Sequence, residues 1–453
     1  MKPMMVLLLS ICLPFVVMTQ QKSRKLFPYN YSIDDLPNGL RVITVPTDYP
    51  NLVALYIVVT TGSRNEIEVG KSGYAHLFEH LMFLGSEHYT GQQRDDILKL
   101  AGADANAYTS DDRTVYHELF SKDDLEKIIE LEADRFQGLK YSLDAYKTET
   151  RAVLGEFNKN SADPTQKLFE VLRATAYKHH TYTHTTMGFI EDIEDMPNQF
   201  DYSWDFYRRY YRPEYTTIVI AGDIDSQKSI SLVKKYFGAW NRGDYVPKIP
   251  LEPEQTEPHE SHVDWPSDTL PLLSVAFRGP SYSDERKDKA ALDLLEAVAF
   301  GENSDIYQKL VLKEQKIDSL DVSFSNRLDP ELFVVSARVK EPKDLDYVRQ
   351  QILNTFKRYT EELISADKLN LTRSRLRYGF ALSLDSSEAI AAALAEYIAL
   401  KRTPETVDKL FGLYDTITPQ HVREIASHYF LNKNRTIVTL TPKQAGQSGE
   451  EDE

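Results

Sequence analysis

Leu52 to Thr60 and Leu270 to Phe277 read as alternating apolar strands, and each leads into a helical segment that stops at a glycine, Gly85 in the first case and Gly301 in the second. The two glycines are 216 residues apart. A second landmark repeats as well. Tyr210-Tyr211-Arg212-Pro213 runs into the strand-like Thr217-Ile218-Val219-Ile220, and Tyr429-Phe430-Leu431-Asn432 runs into Thr436-Ile437-Val438-Thr439. Ile218 and Ile437 are 219 residues apart, so the offset is nearly constant and points to one duplication with small insertions. Helical patterns at Leu125 to Phe136, Ile230 to Phe237 and Leu345 to Tyr359 fall between the strands. The pattern predicts an α+β chain of two homologous domains, each a mainly antiparallel sheet with helices packed on it.

The boundary is visible as a proline- and glutamate-rich stretch, Val246 through Pro258, which breaks both periodicities. The expected organisation is a first domain over 28–242, a linker over 243–264 and a second domain over 265–442. Residues 443–453, ending in Glu450-Glu451-Asp452-Glu453, read as an acidic tail. Residues 1–19 read as a secretory signal, with Lys2 ahead of an apolar run from Met4 to Met18 that is too short and interrupted for a membrane span. The expected location is periplasmic or secreted. Leu9-Ser10-Ile11-Cys12 looks like a lipobox, but Ile11 stands where a small residue is needed, which disfavours anchoring through Cys12.

Composition narrows the chemistry. The formal charge of −16 over 453 residues, with no Lys/Arg-rich run, argues against nucleic acid as a partner. Cys12 is the one cysteine, so a chain cleaved after Thr19 has no thiol, and any metal must be held by histidine and carboxylate.

His76-Leu77-Phe78-Glu79-His80 supplies such a set. On a helix His76, Glu79 and His80 share a face, giving two imidazoles one turn apart with a carboxylate beside the second. Aligning the two halves on their glycines puts Leu292, Leu295 and Glu296 opposite these three, so leucine packs this helix position in the second half. That contrast favours chemistry in the first half. A catalytic zinc takes three protein ligands and leaves a position for water. Glu149 and Glu156, two turns apart on the segment Thr148 to Asn158, are both candidates to complete the set, one as ligand and the other orienting a histidine or the water. Glu79 is then the general base for a water whose pKa the zinc brings to about 7. The bend Lys178 to Gly188, with His179, His180 and His184, reads as a loop of solvent- or substrate-facing polar residues.

The stretch Gly73 to Ser86, which contains this motif, resembles the inverted zinc motif of the M16 peptidases, the pitrilysin, insulysin and mitochondrial processing peptidase family. The resemblance runs from about Tyr29 to Pro442 and implies duplicated halves of which the first carries zinc. It assigns the third ligand to a glutamate 76 residues beyond the second histidine, here Glu156, and a supporting acidic role to Glu149. It also implies that Asn106, Ala107 and Tyr108, in Asn106-Ala107-Tyr108-Thr109-Ser110, hold substrate backbone by strand addition. One departure stands out. Val311 and Asp318 occupy the places of the family's Arg and Tyr, which stabilise the developing charge on the scissile carbonyl. The sequence therefore predicts a zinc-dependent endopeptidase that needs a homologous partner chain carrying that pair, with a homodimer as the rival arrangement. The alternatives are a non-catalytic scaffold or assembly subunit, or a maturation protease for one peptide.

Overall fold

The structure, a computed structural model, describes residues 25–443, so the signal segment with Cys12 and the acidic tail beyond Lys443 lie outside the described residues. Its first sheet contains β1 (Ser32–Asp35), β2 (Arg41–Pro46), β3 (Leu52–Val59), β4 (Asp104–Thr109), β5 (Thr114–Ser121) and β6 (Thr216–Gly222), ordered β1-β2-β6-β3-β5-β4. The second contains β7 (His259–Trp265), β8 (Leu272–Arg278), β9 (Ile317–Ser323), β10 (Leu332–Val339) and β11 (Arg435–Pro442), ordered β7-β11-β8-β10-β9. With β1 set aside, the two orders superimpose strand for strand. Each sheet has one parallel pairing, β2 with β6 and β7 with β11, and is otherwise antiparallel. The duplicated α+β architecture expected from the repeats is the architecture found.

The strands differ from expectation in one respect. β3 is buried continuously from Val53 to Val59 rather than on alternate residues, because both faces of the first sheet are covered. Val53, Leu55, Ile57 and Val59 meet helices of their own half, including α1 (Tyr74–Leu81) and, further on, Phe200–Tyr210 and Ser226–Phe237. Ala54, Tyr56 and Val58 meet Ile390, Leu394 and Ile398 of Ser387–Lys401, a helix from the second half.

The loan is returned. Along the first half come α2 (Gly91–Leu100), α3 (Leu125–Gln137), α4 (Leu143–Asn160) and α5 (Pro164–Ala176). α5 lays Leu168, Leu172 and Ala176 on Leu272, Ala276, Val438 and Leu440 of the second sheet. Each half therefore completes the core of the other.

Residues 243–258 have no regular structure, as their prolines dictate, and β7 begins at His259 within the stretch read as linker. The segment is strapped down: the Glu252 carboxylate accepts the backbone N–H groups of Lys178, His179 and His180 at 3.0, 2.7 and 2.8 Å. Three donors converging on one carboxylate hold it below its usual range against the effect of burial.

Candidate metal centre

α1 starts without a Ser, Thr, Asp or Asn cap. Its first residues follow Gly73, which has φ +85°, and a Cβ there would meet the Met187 carbonyl oxygen at 2.7 Å. The orphan N–H groups are satisfied from a distance. The two oxygens of the buried Glu66 carboxylate accept from the N–H of Gly73 and of Ala75, each at 2.7 Å. Phe78 stacks on Phe206 and Leu77 and Leu81 are fully buried, so the opposite face of α1 carries His76, Glu79 and His80 toward α4, with His76 itself buried. α4 begins at a Ser142 cap, whose hydroxyl accepts the Ala145 N–H at 3.1 Å, and runs past α1 with Glu149 and Glu156 on one face.

The ligand atoms converge. Glu156 Oε2 lies 3.5 Å from His76 Nε2 and 3.7 Å from His80 Nε2, and one atom from each residue falls within 4.8 Å of the other two. Donors bound tetrahedrally at about 2.0–2.1 Å stand about 3.3 Å apart, so the set is sized for zinc with slight contraction. Its chemistry fits as well. His80 turns its other nitrogen, Nδ1, to Glu149 Oε2 at 3.4 Å, as a ligating imidazole does toward an orienting carboxylate. Burial, and then the neighbouring His80, push His76 down to about 4, so its imidazole is neutral and its lone pair available. Glu149 raises His80 instead.

Glu79 lies on the same helix but outside this triad, with its carboxyl held above its usual range by burial, which a hydrogen bond from Thr109 only partly offsets. Thr109 Oγ1 donates to Glu79 Oε2 at 2.6 Å. Neither Glu66 nor Thr109 is singled out by sequence reasoning: Glu66 caps a helix eight residues away, and Thr109 reaches Glu79 only because β4 packs beside α1.

A cavity of about 460 Å³ opens on the cluster, bounded by His76, Glu79, Tyr108, Thr109, Glu156 and, from the far wall, Arg327. β4 is the outermost strand of its sheet and delivers Tyr108 and Thr109 to this wall, with Asn106 and Ala107 preceding them on the same edge. The Ala107 N–H is accepted by Asn106 Oδ1 at 2.8 Å. At the distal end Asp111 receives both Arg173 nitrogens, at 2.8 and 3.1 Å, and Arg327 at 2.7 Å. Burial opposes ionisation of Asp111, but the two guanidiniums outweigh it and hold the carboxyl well below its usual range.

His180 and His184 are buried, not loop residues facing solvent or substrate: His180 Nε2 meets Asp329 at 2.9 Å, and His184 Nδ1 meets the Thr185 carbonyl at 2.9 Å. Thr185, Thr186 and Met187 are the part of that loop that reaches the cavity. Val311 packs against the second core and Asp318 lies 3.5 Å from Arg338, so neither lines the cavity.

Two family models match the chain, one described as insulinase (peptidase family M16) over residues 41–189 and one as the peptidase M16 inactive domain over residues 200–376. The chain belongs to the M16 peptidase family. Among its M16 relatives, the zinc protease PqqE of Helicobacter pylori is 28% identical over 414 residues, covering 90% of this chain and 92% of that one. A probable mitochondrial-processing peptidase subunit beta of Arabidopsis thaliana is 24% identical over 429 residues, 91% of this chain and 78% of the other. Among solved structures, a protease from Helicobacter pylori superimposes with a TM-score of 0.85 at 26% identity, over 91% of this chain and all of that one. The first half of the periplasmic protease PqqL from Escherichia coli has the same M16 fold, with a TM-score of 0.73 at 19% identity.

Proposed function

We propose that this chain is a zinc-dependent endopeptidase acting on peptides or short unfolded polypeptides. The observation that carries the reading is the convergence of His76 Nε2, His80 Nε2 and Glu156 Oε2 beside Glu79 on one wall of an open cavity. Zinc held by those three residues supplies Lewis-acid activation of a water and of the scissile carbonyl. Glu79 accepts the proton of the attacking water and passes it to the amide nitrogen, so that a C–O bond forms, the C–N bond breaks, and a carboxylic acid and an amine leave. The open edge of β4 takes the extended substrate through main-chain hydrogen bonds, with Asn106, Ala107 and Tyr108 in reach of it. Glu149 fixes the His80 ring.

The chamber is completed by a homologous partner chain. Val311 and Asp318 cannot donate to a developing oxyanion, and among the residues lining the cavity Arg327 alone comes from the second half. The reciprocal helices make the two halves of one chain a single body, which supports closure by another chain rather than by one half folding over the other. The acting compartment is periplasmic or secreted, in line with the signal-like residues 1–19. No helix among the described residues is long and apolar enough to cross a membrane.

The test is zinc content and peptide-library turnover of the chain, alone and with a homologous partner, against Glu79→Gln. One zinc per chain, and turnover that Glu79→Gln abolishes while keeping the zinc, is the expected result. Substoichiometric zinc that Glu156→Gln does not alter would favour a scaffold subunit.

A further inference from the structure

We infer that Thr109 is a positioning residue for Glu79, tying the strand that receives substrate to the base that acts on it; the inference rests on the endopeptidase reading. The Thr109 hydroxyl donates to Glu79 Oε2 at 2.6 Å, and it is the one hydrogen bond that this carboxylate makes among the described residues. Oε1 is thereby left without a protein partner. A glutamate side chain on a helix face has three freely rotating torsions, and a single short bond to one oxygen selects the rotamer that turns the other toward the cavity.

The donor is itself immobile. Thr109 is β-branched and stiff at χ1, and it closes β4 opposite Thr114 of β5. Ser110 N–H bonds to the Arg113 carbonyl at 2.8 Å, which tightens the turn directly after it. Asp111, two residues on, is clamped by Arg173, Arg327 and Ser63. The Thr114 hydroxyl donates at 3.0 Å to the carbonyl of Thr61, just beyond the end of β3. Thr109 is thus a fixed point at the end of an edge whose remaining residues are open to an incoming chain. A peptide added along β4 and the carboxylate that deprotonates water are referenced to the same residue.

Thr109→Val keeps shape and β-branching and removes the donor, and Thr109→Ser keeps the donor. Both are made in the full zinc-loaded chain with its partner, beside wild type and Glu79→Gln. Thr109→Val is expected to lower kcat about 10- to 100-fold with KM within twofold, the wild-type zinc content and the wild-type melting temperature, and Thr109→Ser to recover kcat to within about threefold. A crystal structure of zinc-free Thr109→Val is expected to show the Glu79 carboxylate displaced or spread over several rotamers. Unchanged kcat, an effect confined to KM, equal loss in both variants, or a Glu79 carboxylate left in place would overturn the assignment. If wild type turns over no more than Glu79→Gln, the endopeptidase reading falls and the role of Thr109 falls with it; wild-type turnover matched by Thr109→Val removes the Thr109 role alone.

Discussion

The Nδ1 of His80 faces Glu149 at 3.4 Å while its Nε2 faces Glu156 at 3.7 Å, so two carboxylates seven residues apart on α4 hold opposite sides of one imidazole. Their roles differ, and so do the consequences of removing them. Glu149→Gln keeps a hydrogen-bonding partner of the same shape but loses the charge that makes His80 a stronger donor. Zinc affinity is expected to fall about 10- to 100-fold, measured by competition with a chelating dye, whereas Glu156→Gln, which removes a proposed ligand, is expected to cost far more.

Glu66 caps α1 from a buried position, and its removal leaves two buried N–H groups without acceptors. Glu66→Ala is expected to destabilise the protein by ~2–4 kcal/mol in chemical denaturation and to weaken zinc binding, since His76 follows Ala75 directly. Glu66→Gln, which presents one acceptor oxygen, is expected to fall between that variant and wild type.

Glu296 stands where the second half's helix matches His80, and burial, then the charge of Asp293, push its carboxyl up to about 8. An acid whose pKa is higher folded than unfolded binds its proton preferentially in the folded state. That contribution is whole below the unfolded pKa, about 4.3, and is lost as pH rises toward 8, at ~1.4 kcal/mol per pH unit. Glu296→Gln is therefore expected to raise the melting temperature relative to wild type at pH 8 and to converge with it at pH 5, read by circular dichroism.

Asp329 titrates in the opposite sense. Burial alone would raise it, but hydrogen bonds from His180 and Arg64 hold it at about 2. The stabilisation is present above the unfolded pKa, near 3.9, and is lost as pH falls through about 2, amounting to about 2 kcal/mol. Asp329→Asn is expected to lower stability at pH 6 and to flatten the loss between pH 4 and pH 2 in acid-unfolding curves.

The duplication and the candidate motif on α1 were legible because each leaves a local trace: the repeated glycine and aromatic landmarks at a near-constant offset, and His76, Glu79 and His80 at helical spacing. What sequence hides is which surface meets which. The periodicity of α5 says that it buries a stripe, but not that the stripe lies on the second sheet. Ser387–Lys401 is apolar on most of its circumference, which marks a buried helix without naming its neighbours. The same limit hid Glu66, whose target is a helix end, and Thr109, whose partner comes from another element. His180 looks like a loop residue because its partner, Asp329, is distant in the chain.

The exchanged helices also set an order of events during synthesis. When α5 leaves the ribosome, the sheet it must cover does not yet exist, and the outer face of the first sheet stays bare until Ser387–Lys401 has been made. The nascent first half must therefore carry exposed Leu168 and Leu172 on one side and Tyr56 and Val58 on the other for most of the time that translation takes.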